Sequence, residues 1–149
     1  MADKILAKAL GAIGRKERSV AEMREWLEVR EVASDEIDRV VNFLIENEAL
    51  DDRKFAFAFA SDKRELAGWG RTRIRETLRK RRIPRTYIEE ALDRDDGETE
   101  VDRATRVLEE RSADLSDDRG RGRALGLLSR RGYSAEDSYA AIRRKSSDF

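Results

Sequence analysis

One apolar register occurs three times in this 149-residue chain, at a spacing of fifty to fifty-one residues. Met23, Leu27, Val32, Ile37, Val40 and Val41 map onto Ile74, Leu78, Ile83, Ile88, Ala91 and Leu92, and then onto Ala124, Leu128, Tyr133, Ser138, Ala141 and Ile142. Ser138 alone breaks the apolar column. Self-similarity at this period specifies a stack of small helical units rather than one closed globule. Arrays of this kind present an extended surface to a large partner. Binding is therefore the leading expectation, ahead of an enzyme pocket.

Within each repeat the 3.6-residue period marks three helices. The expected fold is all-α: an elongated, curved array of three tandem three-helix repeats, read as a single domain over 1–149. Repeat one spans about 3–50, repeat two about 51–97 and repeat three about 98–146. In repeat one, a first helix over 3–16 carries Ile5, Leu6, Ala9, Leu10 and Ile13 on one face. Ser19 with Glu22 forms a capping box for the second, and Ser34 is expected to cap the third, whose stripe is Ile37, Val40, Val41, Leu44 and Ile45. In repeat two, Asp51 or Asp52 opens a helix with Phe55, Phe59 and Leu66 as its buried row. Gly68 and Gly70 bracket Trp69 at a sharp corner, and Pro84 fits the first turn of the helix after the basic segment. Asp95-Asp96-Gly97 breaks the chain. Thr99 caps the next helix, Asp117-Asp118 precedes a glycine-interrupted one, Gly132 ends it in a left-handed turn, and Ser134 caps the last. The final few residues are expected to be disordered. The alternation in Phe55-Ala56-Phe57-Ala58-Phe59 mimics a strand, but its alanines and the upstream aspartates favour helix.

Charged residues make up 43% of the chain and hydrophobic residues 39%, a balance that supports thin helix–helix seams rather than one thick core. There is no cysteine and no membrane-length apolar run, and no apolar signal stretch opens the sequence, so a cytoplasmic, soluble protein is expected. The net charge of zero hides alternating blocks. Residues 1–62 carry 10 basic against 14 acidic side chains, 63–85 carry 10 against 2, 86–118 carry 4 against 13, and 119–149 carry 8 against 3. Such blocks are either solvated helix faces or a patterned surface for a patterned partner.

The basic segment is the densest: Arg71, Arg73, Arg75, Arg79, Lys80, Arg81, Arg82 and Arg85 fall within fifteen residues. On a helix they leave only a narrow Ile74–Leu78 seam to bury. Either the acidic block at 86–118 relieves their repulsion inside the fold, or they contact an acidic partner or phosphates. The contact role is the expectation carried forward, with Arg130 and Arg131 of the last repeat joined to it. Asp51 and Asp52 read as helix-terminal carboxylates, since no further acids, His or Cys converge to make a ligand set. Trp26 and Trp69 are either stacking platforms for bases or corner packing; packing is preferred. Without His or Cys the commonest general base and the thiol nucleophile are absent, and no phosphate-cradling lysine loop is present. No enzyme activity, cofactor or metal is expected.

Leu50-Asp51-Asp52-Arg53-Lys54-Phe55-Ala56, followed by Gly68-Trp69-Gly70, Arg73-Ile74 and Leu78, together with Leu128-Ser129-Arg130-Arg131-Gly132-Tyr133, resembles the RecX family. The resemblance covers nearly the whole chain. It implies an all-helical protein that binds the RecA recombinase, lies in the groove of the RecA–DNA filament and depresses its ATPase, strand-exchange and coprotease activities. In this frame Asp51, Asp52, Phe55, Gly68 and Gly70 are structural motif residues. RecX-like repeats often carry Gly just before the apolar residue that follows the second helix. Only Gly132 conforms here, with Glu31 and Arg82 in the other two repeats, so those two turns are expected to close differently. The partner implied is the RecA filament, with single- or double-stranded DNA as a further candidate, and the chain is expected to be a monomer. The alternative reading is a direct DNA-binding helical protein that uses the 71–85 segment.

Overall fold

The computed structural model describes residues 2–94 and 96–147. All regular structure among them is helical, in nine elements: α1 (Ala2–Arg15), α2 (Val20–Val29), α3 (Ser34–Glu46), α4 (Asp52–Leu66), α5 (Arg71–Lys80), α6 (Arg85–Leu92), α7 (Glu100–Glu110), α8 (Asp118–Arg131) and α9 (Ala135–Ser147). The Phe55–Phe59 stretch is helix. Asp95 and the last two residues, Asp148 and Phe149, lie outside the described residues, so the expected terminal disorder bears on none that is described; α9 runs on to Ser147.

The apolar register becomes three separate cores. Ala9, Met23, Leu27, Val40 and Leu44 anchor the first. Phe55, Ile74, Leu78, Ile88 and Leu92 anchor the second. Ala104, Leu108, Leu128, Tyr133 and Ile142 anchor the third. Every extensive helix–helix packing lies within one repeat. The molecule accordingly exposes 9436 Å², against about 7,800 Å² for a compact monomer of its mass. That excess is the surface signature of units strung out rather than folded onto one another.

Ser138, which breaks the apolar column, is fully buried, and its hydroxyl makes no hydrogen bond among the described residues. Ser138→Ala is therefore expected to stabilise the protein by about 1 kcal/mol, because it removes a desolvated, unpaired polar group. A thermal midpoint that falls in the variant would show that the hydroxyl has a partner.

Helix starts follow the sequence where a side chain can cap. Ser19 and Glu22 make the reciprocal capping box, and Thr99 makes a second one with Asp102. The Asp51 and Asp117 carboxylates accept from Lys54 N and Gly120 N, and Ser134 Oγ accepts from Asp137 N. Ser34 does not cap α3. It lies one residue inside, and Ala33 holds the N-cap backbone without a side-chain bond. Pro84 likewise sits at the N-cap rather than in the first turn. The repeat explains both shifts: Ala33, Pro84 and Ser134 occupy the same register position, and only the last has a hydroxyl to use.

Three residues expected to be buried are not. Leu66 is 85% exposed, and Leu10 and Ile45 are each 44% exposed. The buried face of α4 runs through Asp52, Phe55, Ala56, Ala60 and Arg64, an i, i+3/i+4 row that Leu66 misses. Ala12 and Leu44 take the inward positions near Leu10 and Ile45.

The turns at Glu31 and Arg82 also depart from expectation. Both are left-handed, with φ of 60° and 58°, as is Gly132 at 99°. All three close with the same bond, Val32 N to Leu27 O, Ile83 N to Leu78 O and Tyr133 N to Leu128 O. The closure demanded by the repeat overrides residue preference, at a strain of about 1 kcal/mol for each non-glycine turn.

Candidate functional site: a basic helix and the junctions between repeats

The middle helices α2, α5 and α8 are chained end to end. At the second junction, the carboxyl end of α8 meets the amino end of α5. Gly70 N donates to Arg131 O at 2.7 Å and Thr72 N to Gly132 O at 3.2 Å. The Glu100 carboxylate, at the start of α7, accepts from Arg71 N at 2.9 Å. Arg131 Nη1 donates to Ala67 O at 2.7 Å, and the Tyr133 hydroxyl donates to Gly68 O at 2.9 Å. Burial pushes the Tyr133 phenol well above its ordinary range, so it remains a donor. The negative end of one helix thus satisfies orphan donors at the positive end of the next. The approach is close enough that a Cβ on Gly70 would lie 2.5 Å from Gly132 O.

The first junction repeats the plan with other side chains. The carboxyl end of α5 meets the amino end of α2. Asp52, at the start of α4, accepts from Val20 N at 2.9 Å, just as Glu100 accepts from Arg71 N. Arg81 is bidentate on Glu22, at 3.0 and 2.8 Å, and donates to Glu17 O at 2.9 Å. Its guanidinium carbon sits 4.6 Å from the centre of the Phe55 ring. Arg82 pairs with Glu25. Burial raises the Glu22 carboxyl, but the Arg81 and Ser19 hydrogen bonds outweigh it and hold the group below its ordinary range. Asp52 goes the other way, raised by burial and by the nearby Asp51 and Glu22 charges despite its bond from Val20.

The basic helix therefore divides. Arg75 is paired with Glu89 at 2.7 Å and Arg71 with Asp93 at 2.8 Å, both from the acidic block that follows. Arg73 donates to Arg130 O at 3.2 Å and lies 3.9 Å over Trp69. Arg81 and Arg131 are held at the junctions. All five, each expected to contact a partner, also make contacts within the fold. Arg79, Lys80, Arg85 and Arg130 are exposed and make no ion pair among the described residues. Arg79 and Arg85 flank a cleft of about 640 Å³ between α5 and α6, with Ile83 and Ile88 at its sides.

Asp51, Phe55, Gly68 and Gly70 all serve local structure: the α4 cap, the second core, and a corner whose left-handed turn is at Gly68 with φ 64°. Trp69 is covered by Arg73, by Lys63 at 4.8 Å and edge-on by Phe59, which is corner packing rather than an open stacking face. Arg64 and Arg103 were not singled out from sequence. Arg64, 6% exposed, closes the end of α6 by donating to Leu92 O at 2.8 Å. Arg103, with a side chain also 6% exposed, pairs with Asp96 at 2.7 Å and Glu100 at 3.1 Å. The helical period passes through Arg64, which is the signal that could have found it.

Asp102 ties α7 to α9. The Thr99 backbone N–H, the Arg144 guanidinium and the Thr99 hydroxyl together lower its pKa from 3.8 to about 2. A carboxyl depressed in the folded state contributes stability above its unfolded pKa and loses it as pH falls through the folded one. Thermal stability should therefore drop between about pH 4 and pH 2. In Asp102→Asn the midpoint should be lower near neutrality and the fall over that window shallower; parallel profiles would discount this group.

The architecture defines a class: a tandem helical-repeat protein whose three-helix units join through the ends of their middle helices. A family model described as RecX, first three-helix domain, matches residues 6–44, and one described as RecX, second three-helix domain, matches residues 51–92. "Regulatory protein RecX" of Deinococcus radiodurans is 35% identical over 144 residues, covering 93% of this chain and 67% of that protein. The protein of the same name from Mycobacterium sp. (strain JLS) is 30% identical over 135 residues, covering 86% and 74%. The chain belongs to the RecX family. Its fold matches the crystal structure of RecX from Lactobacillus salivarius with a TM-score of 0.83 at 19% identity, over 98% of this chain and 97% of that one.

Proposed function

We propose that this protein is a regulator of the RecA recombinase, binding the RecA–DNA filament and depressing its ATPase, strand-exchange and coprotease activities. Membership of a family whose proteins are named regulatory supports the reading at its coarse level. The observation that carries it further is the set of four cations left over when the junctions are satisfied. Arg79, Lys80 and Arg85 lie at the carboxyl end of α5 and the start of α6 in repeat two, and Arg130 at the carboxyl end of α8 in repeat three, all exposed on an array long enough to meet a repeating host. Their chemistry suits carboxylates of a protein filament or phosphates of the DNA within it. The proposed action is steric and electrostatic occupation of the filament rather than bond-making chemistry.

The test is RecA ATPase on single-stranded DNA, with and without this protein. Near-stoichiometric addition should slow ATP turnover and filament extension. Unchanged rates at saturating protein, with the recombinase of the same cell, would defeat the assignment. Tight, strongly salt-dependent binding to naked DNA without recombinase would favour the direct DNA-binding reading instead.

A further inference from the structure

Arg30, Glu31 and Val32 are the first members of a series continued by Arg81, Arg82, Ile83 and by Arg131, Gly132, Tyr133. All three sets close the middle helix of a repeat with a left-handed turn. In repeats two and three, that helix end receives the amino end of the preceding middle helix. In repeat one no middle helix docks on it, and α1, through Lys8, Gly11 and Arg15, forms the other wall of the cleft beside it. Arg81 and Arg131 reach forward to carbonyls of the preceding loop, Glu17 O and Ala67 O. Arg30 instead folds back 3.6 Å over Trp26 and donates to Trp26 O. Arg131 O and Gly132 O accept from Gly70 and Thr72 at the second junction, while the Arg30 and Glu31 carbonyls, like those of Arg81 and Arg82 at the first junction, accept no hydrogen bond among the described residues. Val29 beside them is 72% exposed, and a cleft of about 950 Å³ opens against Trp26, Leu27 and Val32.

The far end of the column is its complement. The helix α8 begins one turn earlier in the register than α2 and α5 do. Arg119 and Arg123 on its first turns are exposed and unpaired among the described residues. Glu28 and Glu31 at the open end of α2 are likewise exposed and unpaired. Residues 119–149 carry 8 basic against 3 acidic side chains, while residues 1–62 carry 10 against 14. A second copy's third repeat would stand where a preceding repeat stands at the two filled junctions.

We propose that copies of this chain associate head to tail, the open end of α2 in one copy receiving the first turns of α8 in the next. The contact continues, with a third pair of helix ends, an interface the chain already makes twice within itself, and it sets Glu28 and Glu31 against Arg119 and Arg123, with Arg30 and the exposed Asp118 beside them. A heterologous contact of this kind generates open strings rather than closed dimers. It is weak between free copies and strengthened where a host holds neighbours at high local concentration. Only that last clause rests on the filament reading; the contact itself does not.

The chain has no cysteine, which permits a clean test without recombinase. Glu31→Cys and Arg119→Cys variants are mixed under mild oxidation, with Glu28 and Arg123 left in place to steer the encounter. A Glu65→Cys variant, exposed and away from both ends, serves as control. The mixed Glu31/Arg119 pair should cross-link roughly tenfold faster than Glu31 with Glu65, with the excess lost at high salt. The chain carrying both substitutions should give a ladder of oligomers. Equal rates for the two pairs, or a Glu31→Cys homodimer outrunning the mixed pair, would overturn the proposal. So would cross-linking of Glu31→Cys to an added recombinase in preference to Arg119→Cys, which would assign the open end to the filament. Thermal melts of each variant separate misfolding from loss of contact.

Discussion

Gly132→Ala should lower stability by about 3 kcal/mol, a large loss for a single added methyl group. Two costs add. The turn has φ 99°, where a side chain is strained by about 1 kcal/mol or more. The new Cβ would also point into α5, 2.6 Å from the Arg73 backbone nitrogen. Neither backbone can yield without breaking the bonds from Gly70 N and Thr72 N that join repeats two and three. For a chain of this length that loss is roughly 6–12 °C in melting midpoint. Glu31→Ala is the matched control, because Glu31 shares the left-handed turn but no other repeat of the same chain joins through it. Its midpoint should move by under about 0.5 kcal/mol in equivalent stability. If both variants melt alike, the α8–α5 junction does not carry the load assigned to it.

The second large effect separates brace from contact within the basic helix. Replacing Arg79, Lys80, Arg85 and Arg130 together with Gln should leave the melting midpoint nearly unchanged. Gln is close to Arg and Lys as a helix former, and these four make no internal ion pair. Inhibition of recombinase ATPase should weaken at least about tenfold, or about 1.4 kcal/mol, as several contacts disappear at once. Arg81→Gln should do the reverse. It strips a bidentate partner from Glu22, at a junction where the two side chains are 23% and 24% exposed. A stability loss of about 2 kcal/mol is expected, appearing as earlier melting of repeat one. A quadruple variant that inhibits normally would remove those cations from the contact surface. An Arg81→Gln variant that melts normally would remove the brace.

Much of the fold could be read from local pattern, because its determinants are local. The column from Met23 to Ile142 repeats with a period set by helix geometry, and Ser19, Asp51, Thr99 and Gly132 act within four residues of themselves. Leu66 shows the limit of reading by hydrophobicity. Its angular position, not its side chain, decided its exposure, and Arg64 took the inward place. Glu31 and Arg82 show a second limit, since the closure required by the unit imposed a backbone that their side chains disfavour. The junctions were out of reach for another reason. Asp52 meets Val20 across 32 residues and Arg81 meets Glu22 across 59. No periodicity encodes which carboxylate answers which guanidinium, so the internal partners of the basic segment could not be read from the sequence.

The helix-end junctions have a mechanical consequence. Each core closes within its own three helices, so tilting one repeat against the next exposes little apolar surface. What must adjust is a handful of hydrogen bonds and ion pairs, whose geometry tolerates small rotations better than an interdigitated seam does. The array is a string of three rigid links with two polar knuckles. Its winding is set at those knuckles, and it can follow a helical track as the track's pitch changes without any link coming undone.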